Sequence, residues 1–195
     1  MTSLPLRPLL AIALALGSAS PATISHAEPK PAAAAIGPAV GTRIATGAAL
    51  IESNGRKTTL AAVAHGKPIM VVLFRSAKWC PYCQGQLKSL GPVAAAAKAK
   101  GVGFIAVSYD SPVDLAAFAA KQGLSFPLYS DSGSMMIDAW KLRDPRYAAD
   151  SFAYGVPYPT TLVLDAAGTV KGKTVETDYK IRPTNADLIA MLPRV

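Results

Sequence analysis

Pro68-Ile69-Met70-Val71-Val72-Leu73-Phe74 leads through Arg75-Ser76-Ala77-Lys78 into Trp79-Cys80-Pro81-Tyr82-Cys83. The first part is a continuous apolar run of strand length, as expected for a strand covered on both faces. From Cys80 to Lys100 most residues are strong helix formers and Gly101 stops them, while Gly91-Pro92 predicts a kink or a restart within the helix. Both cysteines therefore stand where a buried strand passes into a helix. At such a junction the helix N-terminus stabilises a thiolate on Cys80, whose pKa should fall below the free value of about 8.5. Cys83 follows one turn later, close enough to attack a mixed disulfide at Cys80 and release the product. Pro81 suits the first turn, where its missing N–H costs nothing. Lys78 and Arg75 add positive charge, and no acid is expected to oppose them.

Working outward, the chain alternates strand and helix patterns. Downstream, Val102 to Tyr109 is a second buried strand, and Ser111-Pro112-Val113-Asp114 supplies an N-cap, a proline and an acid for a helix closed by Gly123. Strand, helix, strand, helix implies parallel βαβ units. Phe126 to Ser130 is a shorter strand, Ser134 to Leu142 a short helix, and Arg143 to Gly155 an irregular polar stretch. Thr160 to Asp165 is a third strong strand, returning after Ala166-Ala167-Gly168 as Thr169 to Val175, so those two must be antiparallel. A last helix, Asn185 to Leu192, is capped by Thr184 with Asp187 three residues on. Upstream, Asn54-Gly55 joins two extended arms between Leu50 and Leu60, a strong hairpin signal. The expected fold class is α/β, with a central mixed β-sheet, helices on both faces and an N-terminal β-hairpin extension.

Composition narrows the function. The 195 residues are 51% hydrophobic and 16% charged, with a formal net charge of +8 and 36 alanines that account for part of the apolar fraction. No apolar run approaches the ~20 residues of a membrane-spanning helix. The basic residues are spread out, without the clustered cations and interleaved aromatics of a nucleic-acid surface, so no nucleic-acid partner is expected. Two cysteines and two histidines make a poor zinc site, and no metal is expected. The first 27 residues read as a signal peptide: Arg7, the apolar run Leu9 to Leu16, then Ser25-His26-Ala27 with small residues where a signal peptidase cuts. An uncleaved anchor is the competing reading. Residues 28–41, rich in Pro and Ala, read as a linker into one domain over 42–195. An exported protein, periplasmic in a bacterium and without stable membrane insertion after cleavage, is the expectation.

Across roughly Val40 to Leu192 the chain resembles the thioredoxin-fold redoxin family, which includes alkyl hydroperoxide reductases and thiol-specific antioxidants. The resemblance rests on Trp79-Cys80-Pro81-Tyr82-Cys83 after Val71-Val72-Leu73-Phe74, on Tyr158-Pro159-Thr160, on Asp165-Ala166-Ala167-Gly168, and on Asp178-Tyr179-Lys180-Ile181-Arg182-Pro183. It implies a redox-active Cys80–Cys83 disulfide with no other cofactor. It also implies a cis proline against the cysteines, Pro159 or in competition Pro157, and a Tyr158 backbone that pairs with an incoming peptide or thiol. Two departures stand out. Peroxiredoxins place Pro and Thr seven and three residues before the peroxidatic cysteine, where this chain has Leu73 and Ala77. Thioredoxin carries an acid in the strand before its active site, and Ile69 to Phe74 has none.

The candidate catalytic residues are thus Cys80 as nucleophile and Cys83 as resolving thiol. Trp79, Pro81, Tyr82, Tyr158, Pro159, Lys78 and Arg75 are candidates for substrate binding or support. Partners would be protein or small-molecule disulfides and thiols, with an upstream thiol electron donor, or peroxides if the protein is a thiol peroxidase. A non-catalytic binding module is the third reading. A merely structural bridge or metal capture with His65 compete with the redox pair, but a disulfide closing so short a loop constrains little. Tyr147, Tyr154 and Tyr158 are read either as an aromatic wall beside the site or as packing.

Overall fold

A computed structural model describes Met1 and residues 32–194. The signal-peptide reading and the first residues of the linker lie outside the described residues. Seven strands form one mixed sheet in the order β2-β1-β5-β4-β3-β6-β7. β1 (Ala49–Glu52) and β2 (Lys57–Thr59) are the expected hairpin, and β1 joins the sheet antiparallel to β5 (Leu128–Ser130). β3 (Ile69–Leu73), β4 (Gly103–Ser108) and β5 run parallel, the product of right-length crossovers through helices. β6 (Thr160–Leu164) pairs antiparallel with β3, and β7 (Val170–Val175) returns beside it.

The central strand β3 is buried along its whole length and alternates its side chains between two cores. Met70, Val72 and Phe74 enter one core with the helices α2 (Pro81–Ser89), α3 (Gly91–Ala99), α4 (Pro112–Gln122) and α6 (Asn185–Ala190). Ile69, Val71 and Leu73 enter the other, with α1 (Leu60–Ala64) and α5 (Met135–Ala139). A period of two along a strand does this without any further instruction. Gly91-Pro92 divides the long helical stretch into α2 and α3 as read, and Ser111 caps α4 by accepting from the Asp114 N–H. Thr184 and Asp187 form a reciprocal capping box on α6.

Three elements differ from the reading of the sequence. The second hairpin arm ends at Thr59, whose side chain accepts from the Ala62 N–H and starts the five-residue helix α1. The segment before Thr42 is anchored at one point, since Ile36 is buried in the second core and Lys173 Nζ donates to the carbonyls of Ala34 and Ile36, while Val40 is exposed. Gly37, at φ 69°, leaves no room for a Cβ beside Leu142 Cδ2, so this chain entry is closely fitted. Finally, no cis peptide bond occurs among the described residues, so neither Pro159 nor Pro157 adopts the cis form that the resemblance implied.

Candidate active site

The site begins at the end of β3. The Phe74 N–H donates to the Val107 carbonyl of β4, which extends the sheet one residue beyond the strand. The loop that follows is fixed from beneath by Asp110, a buried carboxylate just after β4. It accepts from Ser76 Oγ at 2.7 Å, from the Ala77 N–H at 2.6 Å and from Ser108 Oγ at 3.0 Å. Burial pushes the Asp110 carboxyl above its usual range, and these donors oppose that shift. Ser76 Oγ in turn accepts from the N–H groups of Lys78 and Trp79.

Cys80 is the N-cap of α2, Pro81 holds the first helical position, and the two cysteines form a disulfide. The Cys83 N–H points at Cys80 Sγ from 3.3 Å, so an orphan donor of the helix start is offered to the sulfur that must carry charge when reduced. Both cysteines are buried, at 1% and 0% exposure. Trp79 is the half-buried neighbour on one side. Its indole N–H donates to the Tyr109 hydroxyl at 3.0 Å, that hydroxyl donates to the Phe152 carbonyl at 3.2 Å, and the exposed Phe152 ring meets Trp79 edge-on at 5.2 Å. Lys78, Trp79, Tyr109, Asp110, Ser111, Asp114 and Phe152 line a cavity of about 360 Å³ there. Tyr82 is exposed and meets Tyr179 edge-on at 5.7 Å.

Arg75 is 3% exposed and its Nη2 donates to the Tyr147 hydroxyl. Its guanidinium faces the rings of Tyr179 at 4.5 Å, Tyr147 at 4.9 Å and Trp79 at 5.0 Å, and its buried Nε has no hydrogen-bond partner. On the far side of the pair stands a residue that was not singled out as a site residue in the sequence. Arg182 Nη2 lies 3.2 Å from Cys83 Sγ, and Arg182 Nε donates to Gln86 Oε1 at 2.8 Å. Burial first, and then the nearby Arg75 charge, lower the Arg182 pKa to about 10. The late stretch Asp178 to Pro183 carried part of the family resemblance, but no pattern in it marks Arg182 as a neighbour of Cys83.

The structure thus brings Trp79, Pro81, Tyr82 and Arg75 to the cysteine pair, and corrects the expectations for Lys78 and Tyr158. Lys78 is opposed by an acid after all: its Nζ sits 3.3 Å from the Asp114 carboxylate, a residue of α4 that only the fold brings near. The Tyr158 N–H is already engaged, donating to the Leu142 carbonyl at 2.8 Å, and its carbonyl accepts from Thr160 Oγ1, so this backbone does not pair with an incoming peptide. The Tyr158 side chain packs in the second core, whereas Cys80 and Cys83 belong to the first. Pro159 accepts at its carbonyl from the Glu176 N–H, which ties it into the sheet beside β7. Of the three tyrosines read as an aromatic wall or as packing, Tyr147 reaches the site through Arg75, and Tyr154 stacks on Arg143. His65 is an exposed residue at the C-cap of α1. Among the described residues no group of three His, Cys, Asp or Glu could hold a metal.

Comparison with known proteins agrees with this geometry. Thiol-disulfide oxidoreductase ResA of Halalkalibacterium halodurans is 29% identical over 93 residues, which is 47% of this chain and 46% of that protein. A candidate peroxiredoxin of Mycobacterium tuberculosis is 29% identical over 139 residues, 69% of this chain and 82% of that one. Among solved structures, peroxidoxin BcpB from Mycobacterium tuberculosis superposes with a TM-score of 0.65 at 18% identity, covering 80% of this chain and 96% of that chain. Xanthomonas campestris peroxiredoxin Q gives 0.62 at 24% identity, covering 77% and 94%. These likenesses show the thioredoxin-like fold. With a match to the AhpC/TSA family over residues 41–173, the chain belongs to that family of thioredoxin-fold oxidoreductases.

Proposed function

We propose that the protein is a thiol-disulfide oxidoreductase of the cell envelope. The observation that carries this is the Cys80–Cys83 pair at the start of α2, with the Cys83 N–H directed at Cys80 Sγ. In the reduced protein Cys80 attacks a substrate disulfide and forms a mixed disulfide while the first substrate thiolate leaves. Cys83 then attacks Cys80 Sγ, closes the intramolecular disulfide and expels the second substrate thiolate. An upstream thiol donor returns two electrons and reopens the pair. No cofactor beyond this disulfide enters. The exposed rings of Phe152 and Tyr82 beside the buried sulfurs offer apolar contact to a protein or small-molecule thiol.

A thiol peroxidase is the second reading, favoured by the longer match to a candidate peroxiredoxin. In it, peroxide oxidises Cys80 to a sulfenic acid, which Cys83 condenses to the disulfide with loss of water. The neighbourhood argues against it. Leu73 and Ala77 occupy the positions of the peroxide-orienting Pro and Thr, and the nearby hydroxyl, Ser76, is fully buried and donates to Asp110. Export rests on residues 1–27, and cleavage after Ala27 predicts a mature chain beginning at Glu28. Among the described residues no helix is long and apolar enough to cross a membrane.

Insulin reduction by the purified protein, beside its rate of peroxide consumption, tests the reading. Cys80→Ala should abolish insulin reduction, and Cys83→Ala should accumulate mixed disulfides. Rapid peroxide consumption without disulfide exchange would reverse the order of the two readings. Neither activity in the wild-type protein would leave a binding module.

A further inference from the structure

Arg182 lies between β7 and α6, and its guanidinium is held at every nitrogen. Nε donates to Gln86 Oε1 at 2.8 Å, Nη1 to the carbonyls of Tyr179 and Ile181, and Nη2 to Cys83 Sγ at 3.2 Å. Gln86 follows Cys83 by three positions on α2, so both face the same side of that helix. All of these acceptors are uncharged while the disulfide is closed. Among the described residues neither Arg182 nor Arg75 forms an ion pair, and Glu176 and Asp178 act on Arg182 only from beyond ion-pair distance. Arg182 is half-buried, and burial is the first cause that lowers its pKa, so holding this cation without an anion carries a desolvation cost. Reduction of the disulfide frees Cys83 Sγ, the atom that Arg182 already touches, and a sulfur that stays unprotonated there supplies the missing anion.

We propose that Arg182 holds the reduced Cys83 as a thiolate, so that the deeper sulfur attacks the mixed disulfide without a general base. The inference rests on the disulfide-exchange reading above and answers a question that reading leaves open, since β3 carries no acid beneath Cys83. Two effects compete at this sulfur. Burial penalises a thiolate, and a guanidinium within hydrogen-bond distance favours it by about one to three pKa units. The contact wins because the buried sulfur meets a half-buried guanidinium that stays partly solvated, while the low dielectric around the sulfur strengthens their attraction.

The order of events matters as well. In the free dithiol, two thiolates side by side would repel, and the pair titrates as a coupled unit. Once Cys80 is bonded to substrate it is neutral, and Arg182 then acts on Cys83 alone. The Cys83 thiolate donates its electron pair to Cys80 Sγ, the Cys80–substrate S–S bond breaks, and the substrate leaves as a thiolate that takes a proton from water. One thiolate enters the step and one leaves, so no protein group has to remove a proton.

The Cys80→Ser protein reproduces that neutral partner and leaves Cys83 as the only thiol. Its ultraviolet thiolate absorbance, followed against pH, should place the Cys83 midpoint at least one unit below the free value of about 8.5. Adding Arg182→Met should raise the midpoint by about one to three units, and Arg182→Lys should recover part of the loss. A midpoint at or above the free value with Arg182 present would overturn the proposal, as would a midpoint indifferent to Arg182→Met. The first measurement can overturn the proposal even if Arg182→Met fails to fold, and Arg182→Lys then separates Arg182 from the helix start. Because the titration needs no substrate and no turnover, it fails independently of insulin reduction, which tests the exchange activity itself.

Discussion

The two cysteines are three residues apart and lie in different surroundings. The approach to Cys80 is built on carboxylates: Asp110 fastens the loop before it, and Asp114 draws Lys78 aside. Cys83 is bordered by guanidinium, with Arg182 on its sulfur and Arg75 close enough to lower the Arg182 pKa. On the first side the positive end of the helix stabilises charge on sulfur, through a backbone N–H. On the second side a side chain from the far end of the chain does so. The difference teaches that in one short motif the nucleophile can be activated locally while the resolving thiol is activated by tertiary structure.

The most severe way to break this contrast is to remove either sulfur. Cys80→Ala should lose insulin reduction altogether, while Cys83→Ala should form the first mixed disulfide and then stall, which mass spectrometry of trapped adducts distinguishes. Arg182→Met comes next. If Cys83 becomes a thiol, the resolving step at pH 7 should slow by about tenfold for each unit its pKa rises above neutrality, with the rate recovering as pH increases. Rapid-quench measurement of mixed-disulfide decay reads that slope.

Asp110→Ala should act on stability more than on the titration of Cys83. It leaves the Ala77 N–H and two serine hydroxyls without their acceptor, at about 1–3 kcal/mol in a chemical denaturation midpoint. The wild-type pH dependence has a definite sign. Burial raises the Asp110 carboxyl in the folded state, so folded protein binds this proton more tightly than unfolded chain. The contribution is therefore fully present below the ordinary carboxylate range and declines as pH rises through the folded value. Asp110→Asn should flatten that decline. The smallest effect belongs to Lys78→Ala, which removes an exposed ion pair and should change stability by less than about 1 kcal/mol.

Much of the fold was legible because its signals are local. The apolar run of β3, the Asn54-Gly55 turn, the Ser111 cap and the Thr184 capping box each depend on residues a few positions apart, and each stands where the pattern put it. Helix α1 was missed because Leu60-Ala61-Ala62-Val63-Ala64 is too short to show a period, and its start depends on one threonine side chain. The packed entry at Ile36 was missed for a related reason, since a single apolar residue among alanines and prolines does not announce a core position.

The site divides in the same way. Sequence by itself determined the reactive pair, because strand, turn, Cys-x-x-Cys and helix are consecutive and the helix start presents its N–H groups to whatever stands at the cap. It also determined the missing hydroxyl at position 77 and the missing acid in β3. Only the tertiary structure decided what surrounds the sulfurs. It turned Tyr158 to the opposite face of the sheet, set Asp114 against Lys78 across 36 positions, and carried Arg182 across 99 positions to Cys83. The reason is physical: the dipole at a helix end follows from local backbone geometry, whereas a contact between distant side chains exists only after the sheet order and the return of β7 have placed them together.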